Sequence, residues 1–253
     1  MSKKIIIKGH RLSDETATIC IPIMSSKYED IFSEVSESIE AGAQMIELRC
    51  DMFDCIKERT VLLKLLSDIA GIAKNTILLF TIRTDVEGGN ITISDEEYSD
   101  ILISVADSGC VDLIDVEATH ICDATGLIYR LHQKNVVVVA SHHNFNETYE
   151  NDRILEIYAR LDASGADILK LAMMPQSRED VLRLMMCTEE AGRLYESKLF
   201  ISIAMGSIGQ VSRVASGLCG SAVTFASLKC DSAPGQLSFD DTRMVLQILN
   251  QYE

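Results

Sequence analysis

The sequence predicts an α/β protein, a single (β/α)₈ barrel, and three observations predict it. The chain has 253 residues, a length that α/β barrels commonly reach as one domain. Short runs rich in Ile, Leu and Val recur along it without polar alternation, the pattern of strands covered on both faces. Amphipathic stretches of helical spacing separate those runs, so strand and helix alternate. An open doubly wound sheet is the structural alternative to closure.

In chain order, the segment Ile5–Thr18 comes first and is expected to form an N-terminal hairpin closing the bottom of the barrel. The strand runs are Ile19–Met24, Met45–Leu48, Thr76–Ile82, Leu113–Val116, Val136–Ala140, Ile168–Ala172, Leu199–Ala204 and Ala222–Phe225. Helical spacing marks Ile31–Ala41, Asp95–Ser108, Asp152–Ser164, Arg178–Glu190 and Asp240–Leu249. Gly42, Gly109 and Gly165 follow three of these, where a helix end calls for a left-handed residue. With three prolines and no low-complexity tract, no linker divides the chain, and residues 1–253 read as one domain.

A formal charge of −15 would repel nucleic-acid phosphates and anionic membrane surfaces alike, so neither partner is expected. A small anionic substrate remains compatible, because a few arginines in a cleft can dominate the local field. Lys3 and Lys4 precede only Ile5, Ile6 and Ile7, too short a core for a secretion signal. No apolar run approaches the roughly 20 residues of a membrane span, and a cytoplasmic location is expected. The eight cysteines lack C-x-x-C spacing and read as reduced core thiols, with no metal site implied.

Polar residues collect where strands end. Glu47 and Arg49 close the second run, Arg83 follows the third with Glu87 close behind, and Asp115 and Glu117 lie on or just after the fourth. His142 and His143 follow the fifth, and Lys170 interrupts the sixth. In a β/α barrel the strand C-termini converge on one mouth, where active sites form. Lys170 has apolar neighbours on both sides, and a desolvated amine is a candidate Schiff-base nucleophile; pairing with a carboxylate such as Glu117 is the plainer reading. Adjacent strand residues point to opposite faces, so only one of His142 and His143 should face the interior. Periodicity leaves open which one. Arg49, Arg83 and Arg213 suit a carboxylate substrate, since guanidinium binds carboxylate through paired hydrogen bonds; internal pairing with Glu47, Glu87 or Glu117 would also employ them. The stretch Met205-Gly206-Ser207-Ile208-Gly209 fits either a phosphate-cradling loop or a tight turn. A lid is a further expectation for the Pro234-Gly235 turn.

Six stretches together resemble one family, the type I 3-dehydroquinate dehydratases. They are Ile46-Glu47-Leu48-Arg49-Cys50-Asp51; Phe80-Thr81-Ile82-Arg83 with Glu87-Gly88-Gly89; Ser141-His142-His143-Asn144-Phe145; Asp167-Ile168-Leu169-Lys170-Leu171-Ala172; Met205-Gly206 through Ser212-Arg213; and Ser232-Ala233-Pro234-Gly235-Gln236. They occur in order from about Ile19 to the C-terminus. The resemblance implies a lyase of the shikimate route to aromatic amino acids, removing water from 3-dehydroquinate to give 3-dehydroshikimate. It implies that Lys170 forms an imine with the ketone, that His143 moves the proton, and that Glu87 stands beside that histidine. Glu47, Arg49 and Arg83 match substrate-binding positions, Arg213 the arginine for the substrate carboxylate, and Ser232 and Gln236 contacts from the eighth loop. It further implies a homodimer and no cofactor beyond the covalent imine. One departure is Asn144, where the family usually has Asp; it either tunes His143 or caps the loop. A Schiff-base aldolase and a catalytically silent binding barrel are the competing readings.

Overall fold

The computed structural model describes residues 3–249. It opens with two short antiparallel strands, β1 (Lys4–Ile7) and β2 (His10–Ser13). They are joined through Lys8 and Gly9, both at positive φ, the backbone that two-residue hairpin turns use. The expected hairpin is therefore present. Leu12 is fully buried in an apolar cluster on the inner face of the main sheet, and Ile5 and Ile7 pack against the same cluster.

Strand and helix then alternate: β3 (Thr18–Ile23), α1 (Tyr28–Glu40), β4 (Met45–Arg49), α2 (Arg59–Ile72), β5 (Ile77–Thr81), α3 (Asp95–Ser108), β6 (Leu113–Val116) and α4 (Ala124–His132). They continue as β7 (Val137–Asn144), α5 (Asn151–Ala163), β8 (Ile168–Met173), α6 (Arg178–Leu194), β9 (Leu199–Ala204), α7 (Gln210–Val214), β10 (Val223–Ser227), β11 (Leu237–Ser238) and α8 (Phe239–Leu249). The nine strands of the main sheet run in the order β11-β10-β3-β4-β5-β6-β7-β8-β9, all parallel, and the sheet curls. At its far end a parallel bridge links Phe200 of β9 to Ser221, and the Ala222 amide donates to the Phe200 carbonyl at 2.7 Å.

Gly42, Gly109 and Gly165 all take positive φ after α1, α3 and α5, as the helix-end argument requires. Ser94, Asp123 and Ser177 accept N-cap bonds, and Ser177 with Asp180 closes a capping box. Three helices, α2, α4 and the five-residue α7, are not marked by spacing. In α2, Gly71 and two charged residues interrupt the apolar stripe, and α4 is only nine residues long.

The period of two along each strand sorts the interior. Met45, Ile77, Leu79, Leu113, Val139, Ile168, Leu199 and Ile201 point to the inner face of the curled sheet and form one apolar layer. One step further towards the strand C-termini the same face turns polar, with Glu47, Thr81, Asp115, Ser141 and Lys170 all buried. Alternate residues such as Ile46, Leu78, Ile114, Val138 and Leu169 join the larger cluster beneath the helices. No helix among the described residues is long and apolar enough to cross a membrane.

Candidate active site

Strand β7 extends through Asn144, so His142 and His143 lie within it rather than after it. Register then decides which histidine faces inward. Ser141 pairs with Lys170 and His143 with Ala172, both inner-face residues. His143 therefore points into the mouth, while His142 shares the opposite face with Ala140.

The mouth holds a cleft of about 590 Å³ lined by Glu47, Arg49, Arg83, His143, Lys170, Arg213, Ser232 and Gln236, with Phe145, Ile203, Met205 and Phe225 as apolar walls. Of the site residues that the family resemblance implies, all but Glu87 line it. Glu87 sits directly behind, 1% exposed, in the turn after β5.

Lys170 is 3% exposed. Its Nζ lies 3.3 Å from Glu47 Oε1, 3.3 Å from Asp115 Oδ2 and 4.7 Å from the Phe225 ring centre. Glu117, the example given for the plainer pairing, is not its partner. Glu117 instead accepts from Arg83 at 2.9 Å and from the amide and hydroxyl of Thr84 at 2.9 and 2.6 Å.

Arg83 is the hub of the buried polar layer. Its guanidinium donates to Glu87 Oε2, Glu117 Oε1, Asp115 Oδ1 and Ser141 Oγ at 3.0, 2.9, 2.8 and 2.9 Å. Desolvation opposes its charge, but Asp115, Glu117 and Glu87 outweigh it and hold Arg83 firmly protonated. Arg49 makes a two-pronged contact with Asp51, both bonds at 2.9 Å. Asp51 also accepts from the Arg83 amide at 3.2 Å. Burial works to raise Asp51, yet Arg49 wins and keeps its carboxyl below the usual range.

His143 Nδ1 lies 2.7 Å from Glu87 Oε2. Burial, with Arg83 and Lys170 adding to it, pushes this imidazole well below its ordinary value, so His143 is neutral at rest. Burial also pushes Glu87 up, with Arg83 opposing and Glu117 and Asp115 reinforcing. Because Oε2 already accepts from Arg83, the consistent arrangement has His143 donating from Nδ1. Nε2 then carries the free lone pair of a ring that lines the cleft.

Arg213 differs from the other two arginines. It is 2% exposed, yet its bonds are to the backbone carbonyls of Phe225 and Pro234 at 3.4 and 3.2 Å. Among the described residues its buried Nε has no hydrogen-bond partner, and neither has the buried Nε2 of Gln236. Burial pushes Arg213 down to about 10. Gln236 is oriented by its oxygen, which accepts from the Ser232 amide at 2.7 Å and hydroxyl at 3.3 Å. Buried donors left idle in a cleft fit an acceptor-rich ligand such as a carboxylate.

The two glycine-bearing loops lock together. The Gly206 amide donates to the Pro234 carbonyl at 2.9 Å. A Cβ at Gly235, which takes φ +76°, would stand 2.1 Å from the Gly206 carbonyl oxygen. The Gly206 stretch is thus a tight turn into α7 with that amide already used. Asn144 Oδ1 accepts from the amides of Asn146 and Glu147 at 2.8 and 3.3 Å. It caps the loop.

The chain matches known proteins over nearly its whole length. A model of the type I 3-dehydroquinase family covers residues 19–253. The chain belongs to the type I 3-dehydroquinase family. It is 34% identical over 254 residues to the 3-dehydroquinate dehydratase of Clostridioides difficile, covering 99% of each chain. It is 33% identical to that of Listeria innocua over 98% of each. A crystal structure of the 3-dehydroquinate dehydratase of Geobacillus kaustophilus superposes with a TM-score of 0.95 at 34% identity, covering 99% of this chain and 98% of that one. The type I enzyme from Clostridium difficile, crystallised with covalently modified comenic acid, gives the same TM-score over the full length of both chains at 34% identity.

Asp51, Asp115, Ser141 and Phe225 also contact Arg83 or Lys170, and of these only Asp115 stands out in the sequence. The pairing of β7 with β8 sets Ser141 beside Lys170, which single letters do not reveal.

Proposed function

We propose that this protein is a hydro-lyase, a 3-dehydroquinate dehydratase, that eliminates water from 3-dehydroquinate to give 3-dehydroshikimate through a Schiff base on Lys170. The single observation that carries the reading is the cleft's composition. A buried lysine, a neutral histidine held by Glu87, and an arginine without a carboxylate partner face one space. Membership of the type I family supports it, as do relatives of the same length named for this reaction.

Lys170 attacks the C3 ketone with its lone pair, and the proton it sheds goes to the oxygen that leaves. The carbinolamine loses water to give an iminium ion. That cation draws electron density from C2, and Nε2 of His143 removes the C2 proton to leave an enamine. The enamine then expels the C1 hydroxyl, which takes the proton from His143 and departs as water. Hydrolysis of the product iminium frees Lys170 and 3-dehydroshikimate, so the water released on imine formation balances the water consumed. One histidine thus serves as base and then acid, worth on the order of 10²–10⁴-fold. The covalent imine is the electron sink, and the family implies no cofactor beyond it.

Arg213 and Gln236 bind the substrate carboxylate and a hydroxyl, with Ser232 holding Gln236 in place. Arg49, Arg83 and Glu47 shape the opposite wall, their charges set by Asp51, Asp115 and Glu117. The substrate is a small carboxylate, and neither nucleic acid nor membrane is a partner. The reading takes the curled sheet as closed into one (β/α)₈ barrel, supported by the Phe200–Ser221 bridge between its ends. The N-terminal hairpin covers the bottom of this single domain. A cytoplasmic homodimer in aromatic amino-acid biosynthesis completes it. Imine trapping with borohydride and product analysis test the reaction. Accumulation of a carbon–carbon cleavage product, or turnover by Lys170→Ala, would refute it.

A further inference from the structure

Behind the His143–Glu87 pair lies a second cleft, bordered by Val86, His120, His142 and Tyr149 on the outer side of β7. Glu87 lines this second cleft and stands directly behind the first. Its Oε2 meets Arg83 and His143, while Oε1 faces outward. There His120 Nε2 lies 3.4 Å from Oε1 and His142 Nδ1 lies 3.9 Å from it. The two imidazoles stack with centroids 5.7 Å apart and planes 16° from parallel. One donor atom each from Glu87, His120 and His142 falls within 4.8 Å of the others. His142 is 8% exposed, and its Nε2 has no hydrogen-bond partner among the described residues.

Hydrogen bonding alone accounts poorly for this group. The Thr119 hydroxyl meets His142 Nδ1 at 2.7 Å, which leaves a buried ring nitrogen idle, a state folded proteins avoid. Donors bound at about 2.0–2.1 Å to a tetrahedral zinc stand about 3.3 Å apart, so the observed spacings need only small side-chain rotations.

We propose that Glu87, His120 and His142 form a divalent transition-metal site of the two-histidine, one-carboxylate kind, entered from the outer cleft, whose occupation slows turnover. Two imidazoles and a carboxylate with open positions suit zinc or cobalt. The site draws on the turn after β5, the loop after β6 and the outer face of β7. No local motif spells it. The ion would sit on the far oxygen of the carboxylate that holds His143. Coordination draws that carboxylate towards the outer cleft and away from His143 Nδ1, so the imidazole loses the bond that orients it. The coupling rests on the reading of His143 as acid–base group, whereas the binding does not.

The test titrates cobalt(II) into the metal-free full chain, read by visible absorption, with zinc followed by dye competition and turnover assayed in parallel. His120→Ala removes a ligand that the reaction does not use. Its metal-free kcat/KM stays at the wild-type value, which also checks folding. Cys122→Ser controls for capture by the nearby exposed thiol. The expected result is one ion per chain at micromolar concentration, with turnover lost in step and restored by chelation. His120→Ala should bind at least about 10-fold more weakly and keep its turnover at zinc levels that stop the wild type. Equal cobalt binding by wild type and His120→Ala, or none below millimolar, overturns the site. Tight binding at an unchanged rate overturns the coupling. Absent turnover in the metal-free wild type would fault the reaction assignment instead, because binding is read without it.

Discussion

Replacing Arg213 with methionine should separate activity from stability, moving them in opposite directions. In the free protein this buried guanidinium has only two long bonds to backbone carbonyls, at 3.4 and 3.2 Å, and an idle Nε. Charge-assisted bonds to a substrate carboxylate are worth about 1.5–3 kcal/mol each. Losing two of them should lower kcat/KM by roughly 10²- to 10⁴-fold. Methionine fills a similar volume without a charge to desolvate. Uncompensated buried charge costs more than its apolar replacement by about 1–4 kcal/mol. Orphaning the two carbonyls returns part of that, for a net gain of about 1 kcal/mol. For a chain of this size that is a rise in Tm of about 2–4 °C. Steady-state kinetics on 3-dehydroquinate and a thermal melt of the same preparation read both quantities. A Tm several degrees lower would refute the claim that Arg213 is uncompensated in the free protein. Unchanged kcat/KM would refute its role on the carboxylate.

Arg83→Met should do the reverse in stability, because it strands Glu87, Asp115 and Glu117 around an empty centre. A loss of about 3–5 kcal/mol or failure to fold is expected, and a wild-type melting temperature would contradict it. Because burial holds His143 well below its ordinary value, the neutral base persists at neutral pH and is lost only as pH falls through the depressed value. The acid limb of kcat should therefore lie below pH 6.5, and a limb at or above 6.5 in the pH–rate profile would count against it. Asn144→Asp should leave that profile unchanged, since the side-chain oxygen is tied to the amides of residues 146 and 147; a shifted limb would show that the position tunes His143 after all. Gly235→Ala should raise KM markedly by forcing apart the Gly206 and Pro234 loops, and an unchanged KM would show that the seam does not shape the cleft.

Much of the site was legible because strand ends of a parallel sheet converge, so Lys170, His143, Arg49 and Arg83 could be grouped before any geometry existed. Its finer grain was not. The choice between His142 and His143 needed the pairing of β7 with β8, which periodicity in one strand cannot supply. The division of labour among the arginines depended on which carboxylates stand beside each. Asp51 and Asp115 are too distant in sequence from Arg83 and Lys170 to reveal that. Helix α4 escaped for a different reason: nine residues are too few for an apolar stripe to stand out. The Glu87, His120 and His142 group spans three repeats and has no ligand spacing to read.

The central claim is that Lys170 makes the covalent bond. Intact-mass spectrometry after incubation with 3-dehydroquinate and borohydride tests it most directly, with Lys170→Ala and His143→Ala in parallel. The account predicts a ligand-sized adduct on the wild type and on His143→Ala, mapping to the Lys170 peptide, and none on Lys170→Ala. A folded wild type that forms no adduct, or an adduct that persists when Lys170 is removed, would contradict it.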